Sequence, residues 1–279
     1  MYFPWPSWLY HAGNTRGVCR THSGARTMVV KVLRAGYYWP TVQVDCTKFV
    51  RKCLMFQEYD TLSHKKPENL HYILFPWPFA KWGMNIHEPF SPGKGQSKFL
   101  LVGVDYFTKW IEAEPLAVIT TRNIQTFMWQ NTVCHFGIPH VIITDNGWQF
   151  IDRGLAEFYK KLNFKEIMSS VEHPKTNKQA EAANKIILNE LKKRLDPTKG
   201  KWTKELLEVL WAYRCTPQST TQEIPHRLTY GIKVMIPVEV EEPSLRRQIF
   251  NVDLNKESLL VRLDLINKFR DKQNKKSSL

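Results

Sequence analysis

Between residues 82 and 116 three short apolar segments follow one another with little chain between them: WGMNIHEPF (82–90), KFLLVGVDYF (98–107) and KWIEAEPL (109–116). Parallel strands need a crossover of a dozen residues or more, so strands joined this tightly pair antiparallel. The turn before the second segment, SPGKGQS, is rich in Gly and Pro, which break strands. A three-stranded antiparallel meander is predicted, and it must bury one face against another layer.

The chain that follows supplies that layer. TTRNIQTFMWQNTVCH (120–135) predicts a helix with a Thr cap and apolar Ile124, Phe127, Met128 and Val133. HVIITD (140–145) reads as a buried strand, GLAEFYKKLN (154–163) as a helix and FKEIMSS (164–170) as another strand. NKQAEAANKIILNELKKRL (177–195) predicts a long helix with Leu188, Leu191 and Leu195 along one face. KWTKELLEVLWAYR (201–214) spaces Trp202, Leu206, Leu210 and Tyr213 as a core-facing stripe. A meander, then alternating helices and strands, then helices alone, implies an α/β fold with a mixed sheet flanked by helices.

Upstream, SGARTMVVKVLRAG (23–36) starts at Ser and stops at Gly, with Met28, Val29, Val32 and Leu33 apolar. YYWPTVQVDCTKFVRKC (37–53) opens at Pro40 and is expected to place Val44, Phe49 and Val50 on one side of a second helix. The polar, Pro-containing QEYDTLSHKKPENLH (57–71) reads as a linker and a domain boundary. From residue 251 one further helix and a basic, Ser-rich end are expected.

Charge narrows the partners. Lys and Arg number 40 against 26 Asp and Glu, a net charge of +14, which favours nucleic acid first and an anionic membrane second. No apolar run reaches the length of a bilayer span. The N-terminal MYFPWPSWLYHAG is aromatic but lacks the basic start and apolar stretch of a secretory signal, so an intracellular, non-secreted chain is expected. Five cysteines, at 19, 46, 53, 134 and 215, include no Cys-x-x-Cys pair, which fits reduced thiols.

Two acids stand where acid chemistry tends to sit. Asp145 closes the strand HVIITD ahead of the turn-like NGWQF, and a strand's C-terminal end faces the crevice where such sheets bind ligands. Glu181 lies 36 positions later, near the start of the 177–195 helix. Spacing alone does not separate this pair from solvated surface acids.

The motifs GYYWP, FPWPFAKWG, VDYFTKWIEAEPL, FGIPH, TDNGWQF, HPKTNKQAEAANK and LWAYR together resemble the integrase of gypsy-type LTR retrotransposons, the plant elements in particular. The similarity runs from about His22 to about Glu242. It implies a ribonuclease-H-like catalytic core preceded by a small zinc-binding helical domain. The implied activity is polynucleotidyl transfer, in which element DNA ends are trimmed and joined to target DNA. On this reading 1–14 is an unrelated segment, 15–57 a degenerate zinc-binding-like helical domain, 58–74 a linker, 75–235 the core and 236–279 an extension with one helix. The chain stops before the family's C-terminal small barrel.

Such a core uses three carboxylates to hold two Mg²⁺ or Mn²⁺ ions about 3.5–4 Å apart for in-line phosphoryl displacement. By motif position Asp145 matches the family's second Asp and Glu181 its Glu, and the 35 residues between them match the family's spacing. The first Asp falls in a Trp-Gly-apolar-Asp strand, which here reads Trp82, Gly83, Met84, Asn85. Asn offers one neutral oxygen and cannot bridge two cations as a carboxylate does. Weakened Mg²⁺ or Mn²⁺ binding at Asp145 and Glu181, and little or no strand transfer, are therefore expected. Nearby groups do not substitute convincingly: Glu88 falls on the opposite strand face, His87 is a poor Mg²⁺ ligand, and Asp105 is on the next strand at unknown register.

The resemblance also implies a zinc site of two His and two Cys. His22 matches the second His and Cys53 the first Cys, but Thr15 and Phe56 occupy the other two places. Four ligands are the rule for structural zinc, so the site reads as degenerate, with Cys19 and His11 the conceivable substitutes. For DNA, the family places a Lys where Lys185 stands, four residues after Glu181; a plain i, i+4 ion pair is the alternative. Lys178 and Lys192 extend the basic surface. The partners implied are DNA in the nucleus and other copies on DNA, with no membrane. Three readings follow: an integrase impaired in catalysis, a non-catalytic nucleic-acid-binding or host-retained interaction protein, and a decayed reading frame without present function.

Overall fold

The computed structural model describes residues 24–34, 37–52, 77–87, 90–145, 147–168, 202–218, 220–232, 234, 251 and scattered positions from 253 to 271. Contacts divide the chain into two compact units. One comprises Met1–Ser63, Leu188–Pro197 and Lys204–Ile266; the other comprises His64–Ile187, Thr198–Thr203 and Asn267–Leu279. Glu181, Lys178, Lys185, Lys192, His22, Cys53 and Glu88 lie outside the described residues.

The second unit holds a five-stranded sheet in the order β3-β2-β1-β4-β5. Its strands are β1 (Lys81–His87), β2 (Phe99–Asp105), β3 (Ile111–Leu116), β4 (Val141–Thr144) and β5 (Lys165–Met168). The meander is antiparallel, as the short connections require, while β4 joins β1 and β5 joins β4 in parallel. The sheet is therefore mixed, and helices occupy the parallel crossovers. Thr120 caps α3 (Thr121–Phe127) by accepting the Asn123 N–H at 3.2 Å. That helix runs on through a π-helical stretch, Met128–Val133, into a last turn, Cys134–Phe136. Asp152 caps α4 (Arg153–Lys161) by accepting the N–H groups of Gly154 and Leu155.

Alternation along β1 decides which residues make the core. Trp82, Met84 and Ile86 point to one face, where they pack with Leu101, Ile142, Ile124, Phe127, Met128, Leu155 and Tyr159. Gly103 lies under this helix, and a Cβ there would come within 3.3 Å of the Phe127 ring, so a small residue lets the layer approach. The opposite face carries Lys81, Gly83, Asn85 and His87, in register with Val104, Val102 and Leu100 of β2. Trp202 belongs to the same unit: its ring stacks on Phe90 with centroids 4.6 Å apart, and its indole N–H donates to the Ser91 carbonyl.

The first unit contains α1 (Ala25–Arg34), α2 (Val42–Lys52), the Lys204–Arg214 part of α5 (Trp202–Arg214) and α6 (Pro225–Tyr230). Its core joins Met28, Val32, Val42, Cys46, Val50 and Cys215, with Trp211 and Val234 against it. Val44, expected on one side with Phe49 and Val50, is 52% exposed. The buried stripe of α2 is Val42, Cys46 and Val50, a four-residue repeat, and Val44 stands about half a turn away from Val42. In α5 the expected stripe holds, with Trp202, Leu206, Leu210 and Tyr213 all buried.

A buried carboxylate locks one pole of the sheet. Asp105, at the end of β2, is fully buried. Its Oδ1 accepts the Phe79 N–H at 3.1 Å, and its Oδ2 accepts the Thr108 N–H at 2.8 Å and the Thr108 hydroxyl at 2.6 Å. The first bond fixes Phe79, whose φ of 64° is costly for an aromatic residue. The others close the β2–β3 turn, where Lys109 adopts φ 61° and donates from Nζ to the Tyr106 carbonyl.

Asp105→Ala strips three donors of their acceptor, so a stability loss of about 3 kcal/mol or more is expected from urea unfolding. An unchanged midpoint would contradict this role. Burial also pulls the Lys81 and Lys109 ammonium groups down to about 8, at Lys109 against the pull of Asp105. The unfolded chain then binds more protons between that value and the ordinary lysine range of about 10.4. Stability therefore rises with pH through this window. Lys81→Met is expected to flatten the rise in urea midpoint between about pH 7.5 and 9.5; an unaltered slope would rule Lys81 out as its source.

Candidate functional site

The site is built by the one pair of parallel neighbours at the centre of the sheet. β1 and β4 are registered Lys81 to Val141, Trp82 to Ile142 and Gly83 to Ile143. The pairing runs to Gly83 and Ile143; Asn85 lies two residues further along β1, and Asp145, two residues beyond Ile143, is the first residue past β4. Both residues therefore lie toward the C-terminal ends of neighbouring parallel strands. That is the edge of an open α/β sheet where ligands bind.

Asp145 is partly exposed, and its Oδ1 accepts the Gly147 N–H at 3.0 Å. A Cβ on Gly147 would lie 2.8 Å from that oxygen, so glycine is what allows the turn to wrap the carboxylate so closely. Behind it, the buried Thr144 donates its hydroxyl to Glu166 Oε1 on β5 at 3.4 Å. Burial raises the Glu166 carboxyl above its ordinary range, with the Thr144 bond opposing the shift. None of these supports was singled out in the sequence. The Asn-Gly turn was the available signal for Gly147, whereas Glu166 and Thr144 meet only across strands.

Asn85 faces Val102 of β2 and is partly buried. His87 follows two places on along the same face, opposite Leu100. Asp105, whose register was open from sequence, pairs with Trp82 at the other end of β1 and on the other face. With both its oxygens engaged there, it cannot serve at Asn85. The site as described therefore holds one carboxylate, from Asp145, and one neutral amide oxygen, from Asn85.

Whether a pair of hard divalent cations fits these residues is a question of donors. Such ions take several oxygen ligands, preferably anionic and shared between the two ions. Among the described residues no three His, Cys, Asp or Glu side chains converge as a metal group. Asp145 and Asn85 alone do not fit a two-ion centre, and no reaction step is derived through one. Glu181, the third expected ligand, lies outside the described residues.

This arrangement has relatives. Residues 77–174 match the model of the Integrase core domain. The chain is 28% identical over 218 residues, 78% of its length, to the Pro-Pol polyprotein of feline foamy virus, of which it spans 18%. It is 25% identical over 206 residues, 74% of its length, to Gypsy retrotransposon integrase-like protein 1 of Rattus norvegicus, of which it spans 39%. The chain thus spans well under half the length of these relatives. Its fold is similar, at TM-score 0.54 and 16% identity, to a chain in the cryo-EM structure of the simian T-cell lymphotropic virus intasome in complex with PP2A regulatory subunit B56 gamma; the match covers 77% of this chain and 71% of that one. Residues 77–174 thus match the integrase core domain, and the mixed five-stranded sheet they contain has the ribonuclease-H-like fold of retroviral integrase cores.

Proposed function

We propose that this chain is a nucleic-acid-binding retroelement integrase whose phosphoryl-transfer site is disarmed at Asn85. The observation that supports the reading is that β1 and β4 are neighbouring parallel strands, with Asn85 toward the C-terminal end of one and Asp145 just past the other. The fold needs no charge at position 85, since the residue faces Val102 and precedes the buried Ile86. Phosphoryl transfer does need one, because metal ions stabilise the attacking and leaving oxygens and an amide binds them weakly.

DNA affinity rests on different residues. The net charge of +14 supports binding through phosphates, with Lys178, Lys185 and Lys192 as the proposed contacts. Mg²⁺ or Mn²⁺ at Asp145 and Glu181, action in the nucleus and self-association on DNA belong to the same proposal. The matches to retroviral polyproteins and a gypsy integrase-like protein support it. A purely nucleic-acid-binding role is what remains if Asn85 abolishes transfer outright.

Strand transfer or disintegration of a branched DNA substrate tests the site, with Mg²⁺ and then Mn²⁺. The Asn85→Asp chain is expected to join DNA at least ~100-fold better than the natural one. Equal joining by the natural chain would sink the assignment, and silence from both would move the lesion away from Asn85. Duplex binding is expected to match between the two chains within about threefold and to weaken steeply as salt rises. Salt-independent binding would refute the phosphate-contact reading.

A further inference from the structure

The pole of the sheet opposite the Asn85–Asp145 edge carries an open cleft of about 460 Å³. It lies where the parallel strands begin, beside Ala80 before β1, His140 before β4 and Asn163 before β5. Phe79 and Phe136 stack in its wall with centroids 4.7 Å apart, and Pro78 and Pro139 flank them. Trp77 and Ile138 stand at the mouth, 55% and 60% exposed. Among the described residues no Asp, Glu, Lys or Arg lines it, although the chain as a whole carries +14.

Its walls are preformed. Phe79 is held at φ 64° by the Asp105 carboxylate, and Asn163 at φ 59° with its N–H on the Lys160 carbonyl. An occupant therefore meets a surface that needs little ordering. With no Lys or Arg among its described lining, the cleft is poorly suited to a phosphate backbone, so nucleic acid is a poor ligand for it. Exposed Trp and Pro walls suit a neutral segment that carries proline and aromatic rings, since extended proline-bearing peptides dock in aromatic-lined grooves.

A segment of that chemistry is present in the sequence. Residues 2–10, YFPWPSWLY, comprise five aromatics, two prolines, Ser and Leu, without a charge. The tetrapeptide FPWP at 3–6 recurs at 75–78, where Trp77 and Pro78 build the cleft. Thirteen residues separate Tyr10 from Gly24, the first described position. Fully extended, that length reaches roughly 46 Å, enough to engage another molecule.

We propose that this cleft receives the uncharged proline–aromatic stretch Tyr2–Tyr10 of a second copy of the chain. The proposal rests on the cleft and on that stretch, and it is independent of the Asn85 reading. Neutral meets neutral, so docking desolvates no ion and the contact is insensitive to salt, unlike phosphate binding. It gives the chain a route to self-association that needs no DNA.

Sedimentation equilibrium on the full chain, without DNA, tests it. Three proteins are compared: the natural chain, a cleft variant (Trp77→Ser with Ile138→Ser) and a segment variant (Phe3→Ser, Trp5→Ser and Trp8→Ser). Both cleft positions are more than half exposed, so the substitutions leave the core intact. The natural chain is expected to associate, with each variant weakened about tenfold or more. An equimolar mixture of the variants should recover heterodimers, because one intact cleft then meets one intact segment. A natural chain that stays monomeric to about 100 µM overturns the proposal. So does a mixture that recovers nothing, or association that only the cleft variant reduces, which would assign the cleft to a different occupant.

Discussion

The pairing of β1 on both its edges is the constraint on which the described sheet depends. β1 runs antiparallel to β2 and parallel to β4, and its register with each is set by which side chains it buries. Trp82 and Met84 are both about 1% exposed, and burying such side chains stabilises by roughly 1.5–3 kcal/mol each. A slip of one residue would turn them to the other face and drive Asn85 into the helical layer. The position of Asn85 on the opposite face of β1 is thus maintained by apolar packing on the far side of the strand. It survives whatever residue stands at position 85.

Two aspartates at strand ends show how environment divides one side chain into two roles. Asp105 is fully buried, and both its oxygens accept hydrogen bonds from Phe79 and Thr108, so it organises backbone. Asp145 is partly exposed at the opposite pole, where its Oδ1 accepts the Gly147 N–H. An acceptor committed to strained backbone cannot coordinate or exchange protons without unravelling its turn. An acceptor at a strand's open end can. The two poles of the sheet consequently differ in kind, one bearing the candidate site and the other the aromatic- and proline-walled cleft.

The sheet's architecture rests on packing that does not involve Asn85, whatever chemistry is proposed there. That separation is physically reasonable, because fold lives in the packed layers and function in a few groups placed on them. Position 85 lies on the face of β1 opposite Trp82, Met84 and Ile86, so its charge can change without disturbing their layer.

Local pattern was enough to read the meander, the Thr120 cap, the α5 stripe and the positions of Asp145 and Asn85 at strand ends, because each depends on residues a few places apart. Motif order carried the family as well. Other features were not legible. Val44 was expected inside and is exposed, since helix phase was judged before the buried partner residues Met28, Val32 and Cys215 were known. The register of Asp105, the Thr144–Glu166 contact and the cleft between Trp77 and Asn163 join residues tens of positions apart. The sequence by itself determined which residue types stand toward each strand end, including the amide of Asn85 and the carboxylate of Asp145. Only the tertiary structure decided which ends meet, because strand register is set by long-range burial across the sheet and not by periodicity along it.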